Sequence, residues 1–495
     1  MAVPAIRISA LNDRPVNSQG DYILYWMIAN RRTSWNFSLD RAIELGHQLQ
    51  KPIIVLEALR CEYQWASDRI HRFVLQGMAH NQTVFSGSPI TYHAYVETES
   101  GRGAGLLETL SQRAAAVVTD DFPCFFLPRM AKSAASRSSV LMESVDSNGI
   151  VPLKATDSVF TRAFDFRRWL QKNLLPHLTA APQSNPLRDY HGPQASVPPK
   201  ILQQWPAADH RLLTADIAAL RHLPIDHSVG PACFDGGSAV GQRVLEIFLN
   251  KRLERYADER NDPNDEAASG LSPYLHFGHV SAHEVIDQLK HRENWSADDL
   301  SDITSGAREG WWGMSPPAES FLDQLITWRE LGYNRCSKRE DYGQYRSLPD
   351  WAQKTLKQHA SDPREYAYEL PQFEAAATHD EIWNAAQRQL VRDGRMHNYL
   401  RMLWGKKILE WSATPQDALA VMIELNNKYA VDGRNPNSYS GIFWVLGLYD
   451  RAWGPERPVF GKVRYMSSRN TARKLKLKPY LQRYAKERPA TLWKN

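Results

Sequence analysis

"DYILYWMIANRRTSWNFSLDRAIELGHQLQKPIIVLEAL", residues 21–59, places two apolar runs on either side of an amphipathic segment. The first run, Tyr22 to Met27, and the second, Pro52 to Leu56, have the length and composition of buried strands. The segment from Trp35 to Leu49 between them has a helical pattern. This order predicts a βαβ unit. No glycine-rich loop follows the first run, so a conventional Rossmann dinucleotide site is not expected here.

Further apolar runs extend the same pattern along the chain. ITYHAYV (90–96) and AAAVVTD (114–120) alternate with helical segments to about residue 155, which predicts a parallel sheet covered by helices. Prolines in residues 177–230 indicate a connector over the surface. The predicted fold class is α/β, with an N-terminal Rossmann-like parallel-sheet domain (1–176), this connector (177–230) and a C-terminal all-α domain (231–495). The helices expected in the all-α domain are 238–256, 279–291, 318–331, 380–392, 395–411 and 415–428.

Composition and the N-terminal sequence predict where in the cell the protein works. The chain has 495 residues, of which 43% are hydrophobic, and it contains no run of the roughly 18 to 20 apolar residues that a membrane helix needs. Its N-terminus lacks the basic and apolar regions of a signal peptide. Four cysteines without CxxC spacing indicate free thiols and no metal site. We therefore expect a cytoplasmic protein, nucleoid-associated if bacterial, with no membrane partner.

Charge is concentrated near the C-terminus. The net charge is only +5, but residues 462–488 contain ten Lys or Arg and one acid, Glu487. Tyr465, Tyr480 and Tyr484 lie among these basic residues. Basic side chains with aromatic rings between them suit nucleic acid. The alternative for this segment alone is a solvated basic helix.

Two further stretches indicate binding. Ser269, Gly270, Leu271 and Ser272 precede a helical run, where backbone N–H groups and hydroxyls form a cradle for an anion such as phosphate. The alternative is a serine-capped helix with Pro273 in its first turn. In GRMHNYLRMLWGKKILEW (394–411), helical spacing puts Asn398, Arg401 and Met402 on one face.

A buried Arg401 would need an acidic partner, because an unpaired interior charge is costly, and Asp432 is the best candidate in the region. For each Trp or Met of the 394–411 stretch taken separately, core packing is the alternative.

These stretches together resemble the photolyase/cryptochrome flavoproteins, and in particular the class II cyclobutane pyrimidine dimer (CPD) DNA photolyases. The resemblance covers nearly the whole chain and implies the photolyase/cryptochrome fold, with the C-terminal all-α domain binding FAD. The motifs that carry it are SGLSPYLHFG (269–278), WNAAQRQLVRDGRMHNYLRMLWGKKILEW (383–411), DGRNPN (432–437), DRAWG (450–454) and FGKVRYM (460–466).

The resemblance implies light-driven repair of cyclobutane pyrimidine dimers in UV-damaged DNA by a deoxyribodipyrimidine photo-lyase. It places Arg401 and Asp432 beside the flavin ring and Asn426 near flavin N5. A guanidinium and an amide donor there would favour a negatively charged reduced flavin. The remaining residues that it implies for the FAD pocket are Tyr256, Ser269, Gly270, Leu271, Ser272, Asn398, Arg434 and Asn437.

The same resemblance implies roles toward the lesion and the DNA. Trp328 and Trp444 would clamp the flipped-out dimer, with Met402 against it. Lys462, Arg464 and Tyr465 would hold the DNA backbone. A deazaflavin (8-HDF) or a folate could serve as antenna in the α/β domain, and we expect a monomer.

The resemblance also implies an electron relay through Trp404 and Trp383, with Trp383 toward the surface and Trp411 as an extra aromatic residue on the helix of Trp404. One position departs from the family: in FLDQLITWRELGYN (321–334), Gln324 stands where the active-site glutamate is expected. Gln324 can donate a hydrogen bond but cannot transfer a proton. Asp323 would point roughly 100° away on a helix and is a poor substitute. This departure favours the alternative function, a cryptochrome-like blue-light photosensor with little or no repair.

Overall fold

The computed structural model describes residues 2–188 and 190–486, which form two compact units. The sheet unit comprises the described residues up to Glu254, Ser269–Glu340 and Arg434–Asn437. The helical unit comprises Arg255–Ala268, Asp341–Gly433 and the described residues from Ser438. The domain limits drawn from the sequence, 1–176, 177–230 and 231–495, follow secondary-structure type rather than contacts and stay a prediction.

A six-stranded sheet forms the core of the sheet unit. Its strands are β1 (Ile8–Ala10), β2 (Tyr22–Trp26), β3 (Ile53–Leu59), β4 (Thr91–Val96), β5 (Ala114–Asp120) and β6 (Met142–Val145). The spatial order is β1-β6-β5-β2-β3-β4, and every pair is parallel except β1 with β6. All five residues of β2 are buried, as expected of a central strand covered on both faces. The predicted βαβ unit and parallel sheet are confirmed.

Helices make up most of the remaining regular structure. In chain order they are α1 (Phe37–Leu49), α2 (Asp68–Phe85), α3 (Leu106–Ser111), α4 (Leu127–Arg137), α5 (Ala163–Asn173), α6 (Leu175–Thr179), α7 (Pro199–Gln204), α8 (His210–Leu213), α9 (Ile217–Leu220), α10 (Ser238–Ile247), α11 (Tyr256–Glu259), α12 (Ser272–His276), α13 (Ala282–Glu293), α14 (Pro316–Leu322), α15 (Arg329–Lys338), α16 (Asp350–Gln358), α17 (Leu370–Glu374), α18 (Glu381–Asp393), α19 (Asn398–Trp411), α20 (Pro415–Tyr429), α21 (Pro436–Val445), α22 (Ser468–Lys474) and α23 (Lys478–Arg483).

Two predicted helices are interrupted. The helix expected at 238–256 is α10 followed by a π-helical turn, Phe248–Arg252. The helix expected at 318–331 is α14, a second π-helical segment, Asp323–Trp328, and then α15. An apolar pattern cannot distinguish a π turn from an α turn over so few residues, and such turns are frequent at functional sites. Among the described residues, no helix has the length and apolarity to cross a membrane.

Asp120, the last residue of β5, holds the segment that follows β2. Its carboxylate accepts backbone N–H groups of Ile28, Ala29 and Asn30 at 2.8, 2.8 and 3.0 Å. It also accepts the Tyr25 hydroxyl at 2.8 Å and the Asn30 amide at 3.2 Å. Asp120 is 2% exposed, so these five donors replace the water that a carboxylate requires.

We expect Asp120→Asn to destabilise the protein by about 3 kcal/mol or more, because a neutral amide presents N–H groups to buried donors that need an acceptor. Thermal unfolding followed by near-UV circular dichroism checks this. Asp21→Asn is the matched control, since Asp21 and Arg113 form an exposed pair at 2.7 Å that contributes at most about 1 kcal/mol. Equal shifts in the two variants would contradict the assignment.

Candidate functional site

Three buried tryptophans lie together in the helical unit. The indole rings of Trp383 on α18 and Trp404 on α19 are parallel within 3°, with centroids 6.5 Å apart. Trp411, at the end of α19, lies 6.0 Å from Trp383 in an edge-on arrangement. Trp383 Nε1 donates to the Trp404 carbonyl at 3.0 Å, and Trp404 Nε1 donates to Gln387 Oε1 at 2.9 Å. The three rings that the sequence nominated are therefore neighbours in space.

The expectation that Trp383 lies toward the surface is wrong. Trp383 is 0% exposed, and Trp404 and Trp411 are 2% and 3% exposed. Phe373 on α17 lies 5.3 Å from the Trp383 ring, and Trp411 lies edge-on to it. Aromatic neighbours from separate helices thus bury Trp383, although it is the third residue of α18.

Arg401 and Asp432 form the predicted ion pair, with Arg401 Nη2 3.5 Å from Asp432 Oδ1. Arg401 Nη1 also donates to Asn426 Oδ1 at 3.4 Å. These contacts are long, and the Arg401 side chain keeps 23% of its surface exposed. The pair is therefore a loose, partly hydrated one, with donor capacity left for a further acceptor.

Asn426 has a defined orientation. Its Nδ2 donates to Ser438 Oγ at 2.6 Å and to Asn427 Oδ1 at 3.2 Å, while its Oδ1 faces Arg401. This orientation follows from the hydrogen-bond network. Both N–H bonds of Asn426 already have partners, so donation to a further group requires one of these partners to turn.

Other nominated residues of the helical unit differ in exposure. Met402 on α19 and Trp444 on α21 are half-buried, whereas Asn398, the first residue of α19, is exposed. Tyr256 is buried at the start of α11, with the Arg260 guanidinium 5.4 Å from its ring centroid. Partial exposure leaves Met402 and Trp444 apolar surface with which to contact a ligand.

Lys406 is a buried cation that sequence reasoning missed. It is 0% exposed on α19, two residues after Trp404, and its ammonium donates to the Val445 carbonyl. Burial lowers the pKa of Lys406 to about 7, partly offset by Asp450. A lysine in an apolar helix pattern gives no sign of its own burial, because its long stem also suits a surface position.

The nominated anion cradle, Ser269 to Ser272, lies in the sheet unit. Gly270 has φ +72°, a left-handed conformation that favours glycine. The Ser269 hydroxyl accepts from the Leu271 N–H at 3.4 Å, and no side chain caps α12. Pro273 lies in the first turn, as the alternative interpretation expected, but the serine cap of that interpretation is absent from α12.

The π-helical segment Asp323–Trp328 positions a tryptophan. Asp323 Oδ1 accepts from Arg167 Nε at 2.8 Å, and Asp323 Oδ2 accepts from Trp328 Nε1 at 3.1 Å. In an α-helix, residues five apart lie about 140° apart around the axis, whereas a π turn closes over five residues. Asp323 is therefore committed to Arg167 and Trp328, and Gln324 and Trp328 remain half-buried. Sequence reasoning missed this role of Asp323.

A cavity of about 620 Å³ opens at the carboxyl ends of β2, β3 and β4 within the sheet unit. Ligands of open parallel sheets bind in this position. Its aromatic lining is Trp26, Tyr63, Tyr95, Phe122, Phe125, Phe126 and Phe277, and its cationic lining is Arg31, Arg60, Arg137 and Arg434. These residues are dispersed between positions 26 and 434, so no local sequence motif predicted the cavity.

Arg434 and Asn437, nominated for the FAD pocket, lie in the sheet unit. Arg434 is 2% exposed and lines the cavity, and its carbonyl accepts the Cys124 thiol at 3.1 Å. Asn437 is exposed, and its N–H donates to Asn435 Oδ1 at 2.7 Å.

The nominated DNA-contacting residues belong to the helical unit. Lys462 and Arg464 are exposed, and Tyr465 is half-buried with Phe460 5.0 Å from its ring and the Arg457 guanidinium 4.9 Å away. Lys462 Nζ lies 3.3 Å from Glu456 Oε1. Of the basic tail, Glu487 and Arg488 lie outside the described residues.

Comparison with known proteins identifies the family, although no protein-family model matches the chain. A curated relative from Methanothermobacter thermautotrophicus, a deoxyribodipyrimidine photo-lyase, is 34% identical over 482 residues, covering 97% of this chain and 98% of the relative. Proteins of the same name from Arabidopsis thaliana and Potorous tridactylus are 32% and 31% identical and cover 94% and 93% of this chain, and 90% and 81% of the relatives.

A solved structure supports the fold. The bacterial class III photolyase from Agrobacterium tumefaciens matches with a TM-score of 0.65 at 17% identity, covering 96% of this chain and 87% of that chain. Full-length similarity above 30% identity to several relatives of one name decides the family. The chain belongs to the deoxyribodipyrimidine photo-lyase family.

Proposed function

We propose that the protein is a class II photolyase that repairs cyclobutane pyrimidine dimers by light-driven electron transfer from reduced FAD to a flipped-out dimer. The observation that carries the proposal is the placement of Arg401 and Trp404 on one helix, α19. This helix bears Arg401, paired with Asp432, and one turn later Trp404, stacked on Trp383. A loose cation and one indole of a buried stacked pair, both on the same helix, suit a redox-active aromatic ligand. We propose that it works as a cytoplasmic monomer.

The residues fit FAD. Arg401 makes two contacts, at 3.4 and 3.5 Å, which leave it able to bind a further acceptor. Arg401 and Asp432 would hold the ring, and Asn426 would donate its amide to it once Ser438 or Asn427 turns away. Bound FAD in its reduced form supplies the electron that opens the cyclobutane ring under light. A guanidinium beside the ring stabilises negative charge there.

The rest of the FAD site is proposed from the family resemblance. Gly270 in its left-handed conformation allows the backbone of Ser269 to Ser272 to turn toward a diphosphate. The remaining residues proposed to bind FAD are Tyr256, Leu271, Asn398, Arg434 and Asn437.

Trp404, Trp383 and Trp411 are proposed to resupply electrons. Indole rings can be oxidised by one electron, and the spacings of 6.5 and 6.0 Å between successive ring centroids make each ring the neighbour of the next. Burial excludes water from all three rings.

Trp328 and Trp444 are proposed to stack on the lesion, because a flipped-out base needs an apolar surface to replace its stacked neighbours. Asp323 fixes the indole of Trp328. Met402 would pack on the dimer, and Gln324 would donate through its amide to a pyrimidine carbonyl. Lys462, Arg464 and Tyr465 would hold the DNA backbone.

The cavity of about 620 Å³ is proposed to hold the antenna chromophore, a deazaflavin (8-HDF) or a folate. Its aromatic lining suits the planar heterocycle of either chromophore, and its arginines suit the glutamate carboxylates of a folate. A photosensor without repair activity is the second candidate function. Gln324 favours it, since no proton can be transferred from an amide side chain.

In the repair assay, protein reduced under blue light is illuminated with a thymine-dimer oligonucleotide. We expect intact thymines to appear in the light and not in a dark control. Absence of light-dependent repair would leave the photosensor as the better function.

Gln324→Glu restores the glutamate that the family resemblance expects at this position. In the same assay we expect the repair rate to rise about tenfold, because a carboxylic acid proton can stabilise the developing charge.

Arg401→Ala should weaken FAD binding by about tenfold, or about 1.4 kcal/mol, since it removes the cation proposed beside the ring. Flavin content and the dissociation constant of the purified protein measure this. Arg395→Ala is the matched control, because Arg395 pairs with Glu266 at 2.9 Å in the same unit and is 42% exposed. Equal flavin retention in the two variants would contradict the assignment.

Ala134→Phe should abolish binding of a deazaflavin or folate while flavin content is unchanged, because Ala134 is buried on α4 and lines the cavity. The absorption of the second chromophore relative to flavin measures this. Ser133→Phe introduces the same side chain at an exposed position of α4 and should bind like the wild type. Full chromophore binding by Ala134→Phe would exclude this cavity as the antenna site.

A further inference from the structure

We propose that Lys406 is a positioning residue for the lesion site. Its hydrogen bond joins the end of α21, which carries Trp444, to α19, which carries Met402, and so sets the distance between these two side chains. The inference rests on the proposed function, in which Trp444 and Met402 touch the flipped-out dimer. All three residues lie in the helical unit.

The side-chain nitrogen of Lys406 makes the contact between the two helices. Lys406 lies on α19 and is 0% exposed, and its ammonium donates to the backbone carbonyl of Val445. Val445 is the last residue of α21 and follows Trp444 directly. The lysine therefore bonds the main chain of α21 one residue away from the indole that it is proposed to position.

Lys406 acts where the last turn of α21 needs hydrogen-bond donors. The last four carbonyls of an α-helix have no partner within the helix. Backbone N–H groups of the turn after α21 bond the carbonyls of Phe443 and Trp444 at 3.0 or 3.1 Å. The carbonyl of Val445 accepts from Lys406, whose positive charge also suits the negative end of the helix dipole. Loss of this donor would loosen the turn that carries Trp444.

The end of α21 packs closely on two other helices. A β-carbon at Gly405 of α19 would lie 2.5 Å from a methyl carbon of Val445, so only glycine allows this approach. A β-carbon at Gly447, in the turn after α21, would lie 3.0 Å from the β-carbon of Ala352 on α16. The close approach at Gly405 brings the Val445 carbonyl within reach of Lys406, the next residue of α19.

Met402 lies one turn before Lys406 on α19. Residues four apart on an α-helix share a face, so the face of α19 that bonds α21 also bears Met402. Met402 and Trp444 are both half-buried. A movement of α21 relative to α19 would therefore change the gap between the Met402 side chain and the Trp444 indole, where the dimer is proposed to lie.

The buried charge of Lys406 supports a role beyond packing. Removing a charge from water is costly, and burial lowers the pKa of Lys406 to about 7. Methionine is also long and unbranched and fills such a space without that cost. Compared with methionine, lysine adds the hydrogen bond to Val445 and a positive charge at the end of α21. Both act on the placement of α21.

Fluorine NMR of flavin-containing protein labelled with 5-fluorotryptophan tests the placement of Trp444 without DNA. The chain has 16 tryptophans, and the spectrum of Trp444→Phe identifies the Trp444 resonance. In Lys406→Met we expect this resonance to shift and broaden, because α21 loses its hydrogen bond to α19, while the melting temperature does not fall. An unchanged Trp444 resonance would overturn the proposal. So would a lower melting temperature with broadening of all tryptophan resonances, which would show a general structural role.

Lys428→Met is the matched control. Lys428 is a half-buried lysine of α20 in the same unit, and its ammonium lies 2.7 Å from the carboxylate of Glu374, outside α21. The substitution is the same as in Lys406→Met, so the Trp444 resonance of this variant should coincide with that of the wild type. An equal shift in both variants would contradict a specific role of Lys406.

Binding of a thymine-dimer oligonucleotide in the dark tests the consequence for the lesion. We expect Lys406→Met to bind the dimer oligonucleotide about tenfold more weakly and the undamaged oligonucleotide as tightly as the wild type, since only the dimer is proposed to contact Met402 and Trp444. Equal weakening for both oligonucleotides, or full affinity for the dimer, would overturn the proposal.

Trp444→Ala distinguishes failure of this inference from failure of the proposed function. If Trp444→Ala binds the dimer as tightly as the wild type, the stacking role of Trp444 in the proposed function fails, and the effect of Lys406 on the lesion fails with it. If Trp444→Ala loses affinity for the dimer and Lys406→Met does not, the proposed function stands and the positioning role of Lys406 is overturned.

Discussion

The buried carboxylate of Asp120 is the interaction on which the sheet unit depends. It accepts five hydrogen bonds, three of them from consecutive backbone N–H groups after β2. The turn that it holds leads to Arg31, which pairs with Glu57 at 2.7 Å, and to Asn36, which caps α1. Ile28, Ala29 and Arg31 also line the large cavity. One desolvated charge therefore determines both a helix start and a wall of the proposed antenna site.

The helical unit is built around a different constraint, the exclusion of water from indole rings. Trp383 and Trp404 satisfy their N–H groups with oxygen atoms inside the unit, so their burial costs little. The same arrangement removes any base that could take a proton from them. Tyr368 and His379 lie beside Trp411, with the phenol oxygen 2.8 Å from the imidazole Nδ1.

Sequence periodicity predicted the parallel sheet, α18 to α20 and the pairing of Arg401 with Asp432, because local pattern and charge balance decide these features. It did not reveal the π-helical segment Asp323–Trp328, which brings Asp323 to the indole of Trp328. The family resemblance placed Trp383 toward the surface, whereas Phe373 and Trp411 cover it. These differences arise where a residue's surroundings come from another helix or from an irregular turn.

The sequence by itself determined the βαβ order, the helical second half and, through its ordered motifs, the family. Only the tertiary structure decided that Tyr368 and His379 meet beside Trp411, that Lys406 is buried, and that residues between Trp26 and Arg434 enclose one cavity. The physical reason is the distance along the chain over which each kind of interaction acts. Hydrophobic period and turn chemistry act between neighbours in the chain, while burial and hydrogen-bond partners depend on packing between segments far apart in sequence.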